Sequence, residues 1–212
     1  MDPAKNVGGD FYDFYFVASN LLALVIADVS GKGIPASLFM MRSKTILYGM
    51  ADTGAPLTEV FEEANNQLCT GNDADMFVTV WMGIIDLSSG KIRCVNAGHE
   101  YPILRTEGGD YRIFKEKHGL PLAAMEGVRY REYEIDLSPG DCLFVYTDGV
   151  PESVDENDEQ YGSERLLTVL NSRKDGSMEE LLHAVRADLD QHAGEADQFD
   201  DITMLGFRYN GS

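Results

Sequence analysis

Positive charge is scarce in this sequence. Across 212 residues, 17 lysines and arginines stand against 36 aspartates and glutamates, a formal net charge of −19 at pH 7. A surface so acidic repels polyphosphate, which excludes a nucleic-acid reader. Cysteine is equally sparse: Cys69, Cys94 and Cys142 are odd in number and lack CxxC spacing. That excludes a disulfide framework and a thiolate zinc site, leaving three small buried hydrophobes in a reducing compartment. Long apolar runs are missing as well. Leu21 to Ala27 falls far short of the roughly 20 residues a bilayer requires, and no signal peptide precedes it. The expectation is a cytoplasmic protein, or the cytoplasmic piece of something longer, with no membrane insertion of this segment. There is no internal repeat and no low-complexity linker, so residues 1–212 read as one domain. Apolar matter, by contrast, is ample. Hydrophobic residues make up 44% and aromatics 10%, which excludes a disordered acidic chain and supplies a full core.

What is there reads as an ordered series of elements. Phe11 to Val17 and Leu21 to Ala27 predict an antiparallel hairpin around Ser19-Asn20, delivering Asp28 at the end of its second strand. Ser30-Gly31-Lys32-Gly33 is a loop, and Pro35 suits the first turn of a helix from about Ile34 to Leu47 through Leu38, Met41 and Thr45. Met40 and Met41 read as core filler there. Leu57, Val60, Phe61, Ala64 and Leu68 fall on one face of a second helix. From Met76 to Tyr146 strand patterns alternate with short turns such as Ser88-Ser89-Gly90 and Ser138-Pro139-Gly140-Asp141, which means antiparallel sheet and not repeated βαβ units. Helices follow at Leu166 to Leu170, with Ser163 as N-cap, and at Met178 to His192, with Ser177 and Glu180 as a capping box. Ile202 to Phe207 is the last strand. The order predicts an α+β fold: two antiparallel sheets face to face with helices outside.

The carboxylates are not scattered. Asp10, Asp28, Asp148 and Asp200-Asp201 each stand at the end of an apolar strand, in the company of Gly or Thr. Strand ends meet at the rim of a sandwich, where loops build sites. Any single aspartate there is explained by turn chemistry, since Asp hydrogen-bonds its own backbone. Four together point to a hard divalent cation held by oxygen, and without thiolates or an HxxxH pair Mg²⁺ or Mn²⁺ is favoured over zinc.

Seven segments, in order, then resemble a known family. They are Pro3-Ala-Lys-Asn-Val-Gly-Gly-Asp-Phe-Tyr-Asp-Phe14, Ala27-Asp-Val-Ser-Gly-Lys-Gly-Ile-Pro-Ala36, Phe77-Val-Thr79, Asn96-Ala-Gly-His99, Gly140-Asp141, Tyr146-Thr-Asp-Gly-Val150 and Asp200-Asp-Ile-Thr203. The chain resembles the bacterial sporulation-type, RsbU-like branch of the metal-dependent PPM (type 2C) serine/threonine phosphatases. The resemblance implies a four-layer α-β-β-α sandwich with two Mn²⁺ or Mg²⁺ ions in a cleft at one edge. It implies Asp10, Asp28 and the Val29 carbonyl as metal ligands, Asp148 and Asp200 completing the site, and Asp201 behind them. Two cations bridging a water would supply hydroxide at neutral pH and clamp the phosphoryl oxygens for in-line attack. The implied substrate is a phosphorylated regulatory protein, an anti-anti-sigma factor of the STAS type. The implied context is the C-terminal catalytic part of a longer sensory protein, with which the abrupt start at Met1-Asp2-Pro3 agrees.

The departures from the wider family lie near the cleft. Val29 and Ser30 follow Asp28, where eukaryotic members carry Gly-His with the His as general acid, and no Arg precedes Arg42 to hold phosphate. The leaving-group acid is therefore unassigned. Pro151 replaces an expected Thr after Tyr146-Thr-Asp-Gly-Val. Lys32, ahead of a helix, is a candidate contact for substrate phosphate, and His99 reads equally as a substrate contact or a hydrogen-bonded structural histidine. Asp155 to Glu159 reads as a solvated acidic loop. Two other classes compete with an enzyme. A phosphoacceptor receiver domain would alternate βα units, which the strand meander contradicts. A catalytically silent, phosphatase-like binding module would share every motif but fail to bind Mn²⁺.

Overall fold

A computed structural model of the chain describes residues 1–106 and 108–211. The predicted hairpin is present as β1 (Phe11–Ala18) and β2 (Leu21–Val29), with Phe11 opposite Ala27. Helices α1 (Ile34–Ala51) and α2 (Leu57–Cys69) follow. A run of strands comes next: β3 (Val78–Asp86), β4 (Lys91–Ala97), β5 (Ile103–Arg105), β6 (Arg112–Ile113), β7 (Tyr133–Asp136) and β8 (Cys142–Tyr146). Helices α3 (Gly162–Ser172) and α4 (Met178–Ala193) and strand β9 (Met204–Arg208) complete the series.

The strands form a five-stranded sheet ordered β1-β2-β3-β4-β7 and a four-stranded sheet ordered β6-β5-β8-β9, with antiparallel pairing between neighbours in both. Three buried clusters define the layers. Leu57, Val60, Phe61 and Leu68 of α2 pack with Val25, Val80 and Met82 on the outer face of the first sheet. Leu166, Leu170, Leu181 and Val185 of α3 and α4 pack with Phe144 and Tyr146 on the outer face of the second. Leu24, Ile26, Trp81 and Ile85 meet Leu143 and Val145 between the sheets. The result is the expected α-β-β-α sandwich. Because β2 is covered on both faces, Leu21 to Ala27 reads as a continuous apolar run and not as an alternation.

Some local expectations need correction. Helix α1 runs on to Ala51, and it turns Ala36, Phe39, Ser43 and Leu47 toward the core, leaving Leu38 and Met41 exposed. The buried face mixes small residues, Ala36 and Ser43, with Phe39 and Leu47, so bulk alone does not mark it. Met40 is only partly buried, against the same core. Ser163 does not cap α3: Tyr161 stands at that position with no side-chain cap bond, and Ser163 lies inside the first turn. Ile202 makes an isolated bridge to Asp2 and is not part of β9. The capping box on α4 is present in both directions, Ser177 accepting from the Glu180 amide and Glu180 from the Ser177 amide. Cys94 and Cys142 are buried and Cys69 half-buried, all unpaired as disulfides. Among the described residues, no helix is long and apolar enough to cross a membrane.

Candidate active site

The site forms where the ends of both sheets converge, and the N-terminal segment ties them together. Asp2 exchanges two backbone hydrogen bonds of 2.9 Å with Ile202, just ahead of β9. The Asp201 carboxylate then accepts from the amides of Ala4 (2.8 Å), Gly9 (2.7 Å) and Asp10 (3.3 Å). The loops approach so closely that side chains are excluded. A Cβ on Gly8 would stand 2.2 Å from Asp201 Oδ2, and one on Gly149 would stand 2.0 Å from the Asp201 carbonyl oxygen. Asp201 is buried, and its charge is spent on fixing the backbone that carries Asp10.

Asp10 immediately precedes β1, while Asp28 is the penultimate residue of β2, opposite Thr79 on β3. Asp148 follows β8 after Thr147, and Asp200 precedes Asp201 in the loop before β9. The Thr147 hydroxyl donates to Asp10 Oδ2 at 2.8 Å and accepts from the Thr203 amide at 3.1 Å. One hydroxyl thus bonds both the second sheet and the first carboxylate.

The aspartates feel one another. Burial pushes the Asp28 carboxyl well above the usual carboxylate range, and the charges of Asp10, Asp148 and Asp200 push it further. Burial also raises Asp10, to about 7, although the hydrogen bond from Thr147 pulls it back. Asp148 is pushed up to about 6 by burial and by the charges of Glu152, Asp200 and Glu100. Carboxylates crowded this way prefer either a proton or a cation between them.

The donor set suits a hard divalent ion. It offers carboxylate oxygens and a backbone carbonyl, with no thiolate or imidazole among them. The Val29 carbonyl oxygen lies 3.0 Å from where a Cβ on Gly9 would stand, so glycine leaves space beside it. The carboxylates do not close on one point: among the described residues, no three His, Cys, Asp or Glu side chains stand in ready-made metal-ligand geometry. Coordination therefore requires the side chains to draw together.

The two other candidates sit differently from a free phosphate contact or a proton donor. Lys32 lies 3.1 Å from Asp200 Oδ2 and donates to the Phe199 carbonyl. His99 is 5% exposed. Its Nδ1 shares a 2.9 Å hydrogen bond with the Thr79 hydroxyl, and its amide donates to Asn96 Oδ1 at 2.8 Å. Burial pushes its pKa down to about 3, against the pull of the Tyr146 backbone. The Nε2 atom nevertheless has no partner of ordinary hydrogen-bond geometry among the described residues. His99 is thus buried and anchored through one ring nitrogen and its amide. Its partner Thr79 also reaches the Asp28 carbonyl, at 3.4 Å.

Sequence reasoning missed Thr147, Thr203, Glu100 and Glu152. Thr147 was visible as the residue between an apolar strand and Asp148; the two glutamates carry no such signal. Cavity size does not pick out the site either. A cavity of about 710 Å³ between β1 and α1 includes Asp10, Phe11, Met41 and Tyr48 in its lining. Another of about 710 Å³, along Asn171 to Ala184, touches none of the four aspartates.

Residues 18–210 match the family described as Stage II sporulation protein E (SpoIIE). Protein IcfG of Synechocystis is 29% identical over 239 aligned residues, covering 99% of this chain and 37% of that protein. Phosphoserine phosphatase RsbU of Bacillus subtilis is 30% identical over 155, covering 73% of this chain and 46% of that protein. The chain thus spans less than half the length of either relative. The SiaA-PP2C domain of Pseudomonas aeruginosa superposes with a TM-score of 0.85 at 22% identity, covering 98% of this chain and 83% of that domain.

Proposed function

The chain belongs to the SpoIIE family, the RsbU-like branch of the metal-dependent PPM (type 2C) serine/threonine phosphatases, and on that premise we propose that residues 1–212 form one catalytic unit that hydrolyses a phosphoserine or phosphothreonine. The observation that carries the reading is the convergence of Asp10, Asp28, Asp148 and Asp200 from the ends of two sheets, close enough that three of these charges raise the pKa of the fourth.

In this reading Asp10, Asp28 and the Val29 carbonyl hold one Mn²⁺ or Mg²⁺, and Asp148 and Asp200 hold the other. Such a pair of cations, when bound, supplies hydroxide at neutral pH and neutralises charge on the phosphoryl oxygens. The chain's own residues do the positioning. Thr147 orients Asp10 through its 2.8 Å bond, and Asp201 holds the Gly9 and Asp10 amides in place. His99, buried, shares a hydrogen bond with the Thr79 hydroxyl, whose residue faces Asp28 across β2 and β3.

The substrate we propose is a small phosphorylated regulatory protein, an anti-anti-sigma factor of the STAS type. The motif resemblance supports it, as does the phosphoserine named for RsbU. Because IcfG and RsbU are both much longer, we also propose a sensory domain upstream in the intact protein. The free thiols fit the reducing cytoplasm. The test is Mn²⁺-dependent turnover of p-nitrophenyl phosphate and of a phosphoserine peptide. Activity should appear with Mn²⁺ and be lost in Asp28→Ala and in Asp148→Ala; unchanged turnover in either variant contradicts the reading.

A further inference from the structure

Lys32 stands in the loop between β2 and α1, flanked by Gly31 and Gly33 at φ 84° and 75°. Three contacts hold its ammonium, and all come from one segment far away in sequence. It lies 3.1 Å from Asp200 Oδ2, donates to the Phe199 carbonyl, and sits 3.5 Å from the centre of the Phe199 ring. Phe199 is 74% exposed. No core demands that ring, so what it offers here is a face for the cation. Among the described residues, no other cation forms an ion pair with any of the four clustered aspartates.

We propose that Lys32 is a built-in competitor for divalent cation at Asp200. The inference rests on Asp200 being a metal ligand. The ammonium neutralises the carboxylate while no divalent ion is there, and it must withdraw before Asp200 can ligate one, since two cations on one carboxylate repel. The Phe199 ring and carbonyl give the ammonium contacts that survive the loss of Asp200, so withdrawal is a short displacement. The pair is partly exposed, with side-chain exposures of 27% and 32%. An ion pair so placed is weak, so it raises the cation concentration needed without preventing loading. Asp10 and Asp28 face no such competitor. The two halves of the site therefore load unequally, the Asp148–Asp200 half last.

Calorimetric titration with Mn²⁺ tests this on wild type, Lys32→Met, Lys32→Arg, Asp200→Asn and the Lys32→Met/Asp200→Asn double variant, with thermal melts to show that each folds. Lys32→Met keeps an unbranched apolar stem and removes the charge. It should tighten the weaker Mn²⁺ site by about two- to fivefold. Lys32→Arg, which keeps the charge, should not tighten it, and the gain from Lys32→Met should vanish once Asp200 is replaced. If wild type binds Mn²⁺ and Lys32→Met binds it equally or more weakly, the competitor role is overturned while the metal site stands. If neither binds Mn²⁺, the metal site itself is wrong and this inference falls with it.

Discussion

Thr147 and Asp10 are 137 residues apart and flank strands of different sheets, yet the hydroxyl of one donates to the carboxylate of the other at 2.8 Å. This bond sets where the first carboxylate stands relative to Asp148, the residue after Thr147. Removing it leaves a buried carboxylate oxygen and a buried amide, that of Thr203, each short of a partner. Thr147→Val should cost about 1–3 kcal/mol of stability and weaken Mn²⁺ binding, while Thr147→Ser should stay near wild type in both. Denaturant melts and calorimetry check this; equal behaviour of the Val and Ser variants would remove Thr147 from the site.

Two glycines are required by close approach. The methyl of Gly149→Ala would meet backbone, the Asp201 carbonyl, whereas that of Gly8→Ala would meet the Asp201 side chain. Neither neighbour yields easily, because the Asp201 carboxylate is held by three amides. Each substitution should lower stability by about 1–3 kcal/mol, with Gly149→Ala the worse and the loss of Mn²⁺ affinity greater than in a surface control. A melting temperature for Gly149→Ala equal to wild type would contradict the loop packing.

The aspartates and His99 act oppositely on stability as pH changes. Raised carboxyl pKa values mean that the folded chain holds protons the unfolded chain releases. That contribution is complete below about pH 4, and it is lost as pH rises through about 6 for Asp148 and further for the Asp10–Asp28 pair. His99 is lowered to about 3, so its contribution is complete above about pH 6.5 and is lost as pH falls toward 3. Without divalent cation the melting temperature should fall between pH 6 and 9. Saturating Mn²⁺ should abolish that fall, because the cation binds the deprotonated carboxylates. A metal-free melting temperature that climbs over this range would mean that the carboxylates are not crowded.

His99 should also be silent in solution. Its ring proton resonances should not shift between pH 5 and 8, and the pH dependence of turnover should carry no histidine limb. A ring that titrates near the ordinary histidine value of about 6.5 would make it accessible after all.

What could be read from the sequence was local. An apolar run ending in Asp announced Asp28 and Asp148, and Ser177 with Glu180 announced the start of α4. What could not be read depended on distant partners. Asp200 and Asp201 are chemically identical neighbours. The difference between them arises because the Asp201 carboxylate faces the Gly9 amide, 192 residues away, while Asp200 faces Lys32. The family resemblance implies Asp201 behind the ligands, but its amide clamp is visible only in three dimensions. Helix α1 could not be oriented by bulk: Ala36 and Ser43 are buried with Phe39 and Leu47, while Leu38 and Met41 face outward.

The central claim is that four aspartates and one backbone carbonyl hold divalent cations, and a crystal soaked in Mn²⁺ and measured at the manganese absorption edge tests it most directly. Two anomalous peaks should stand about 2.1 Å from carboxylate oxygens, one beside Asp10, Asp28 and the Val29 carbonyl and the other beside Asp148 and Asp200. A soaked crystal whose protein turns over phosphopeptide in Mn²⁺, yet whose manganese lies away from these residues, would contradict it.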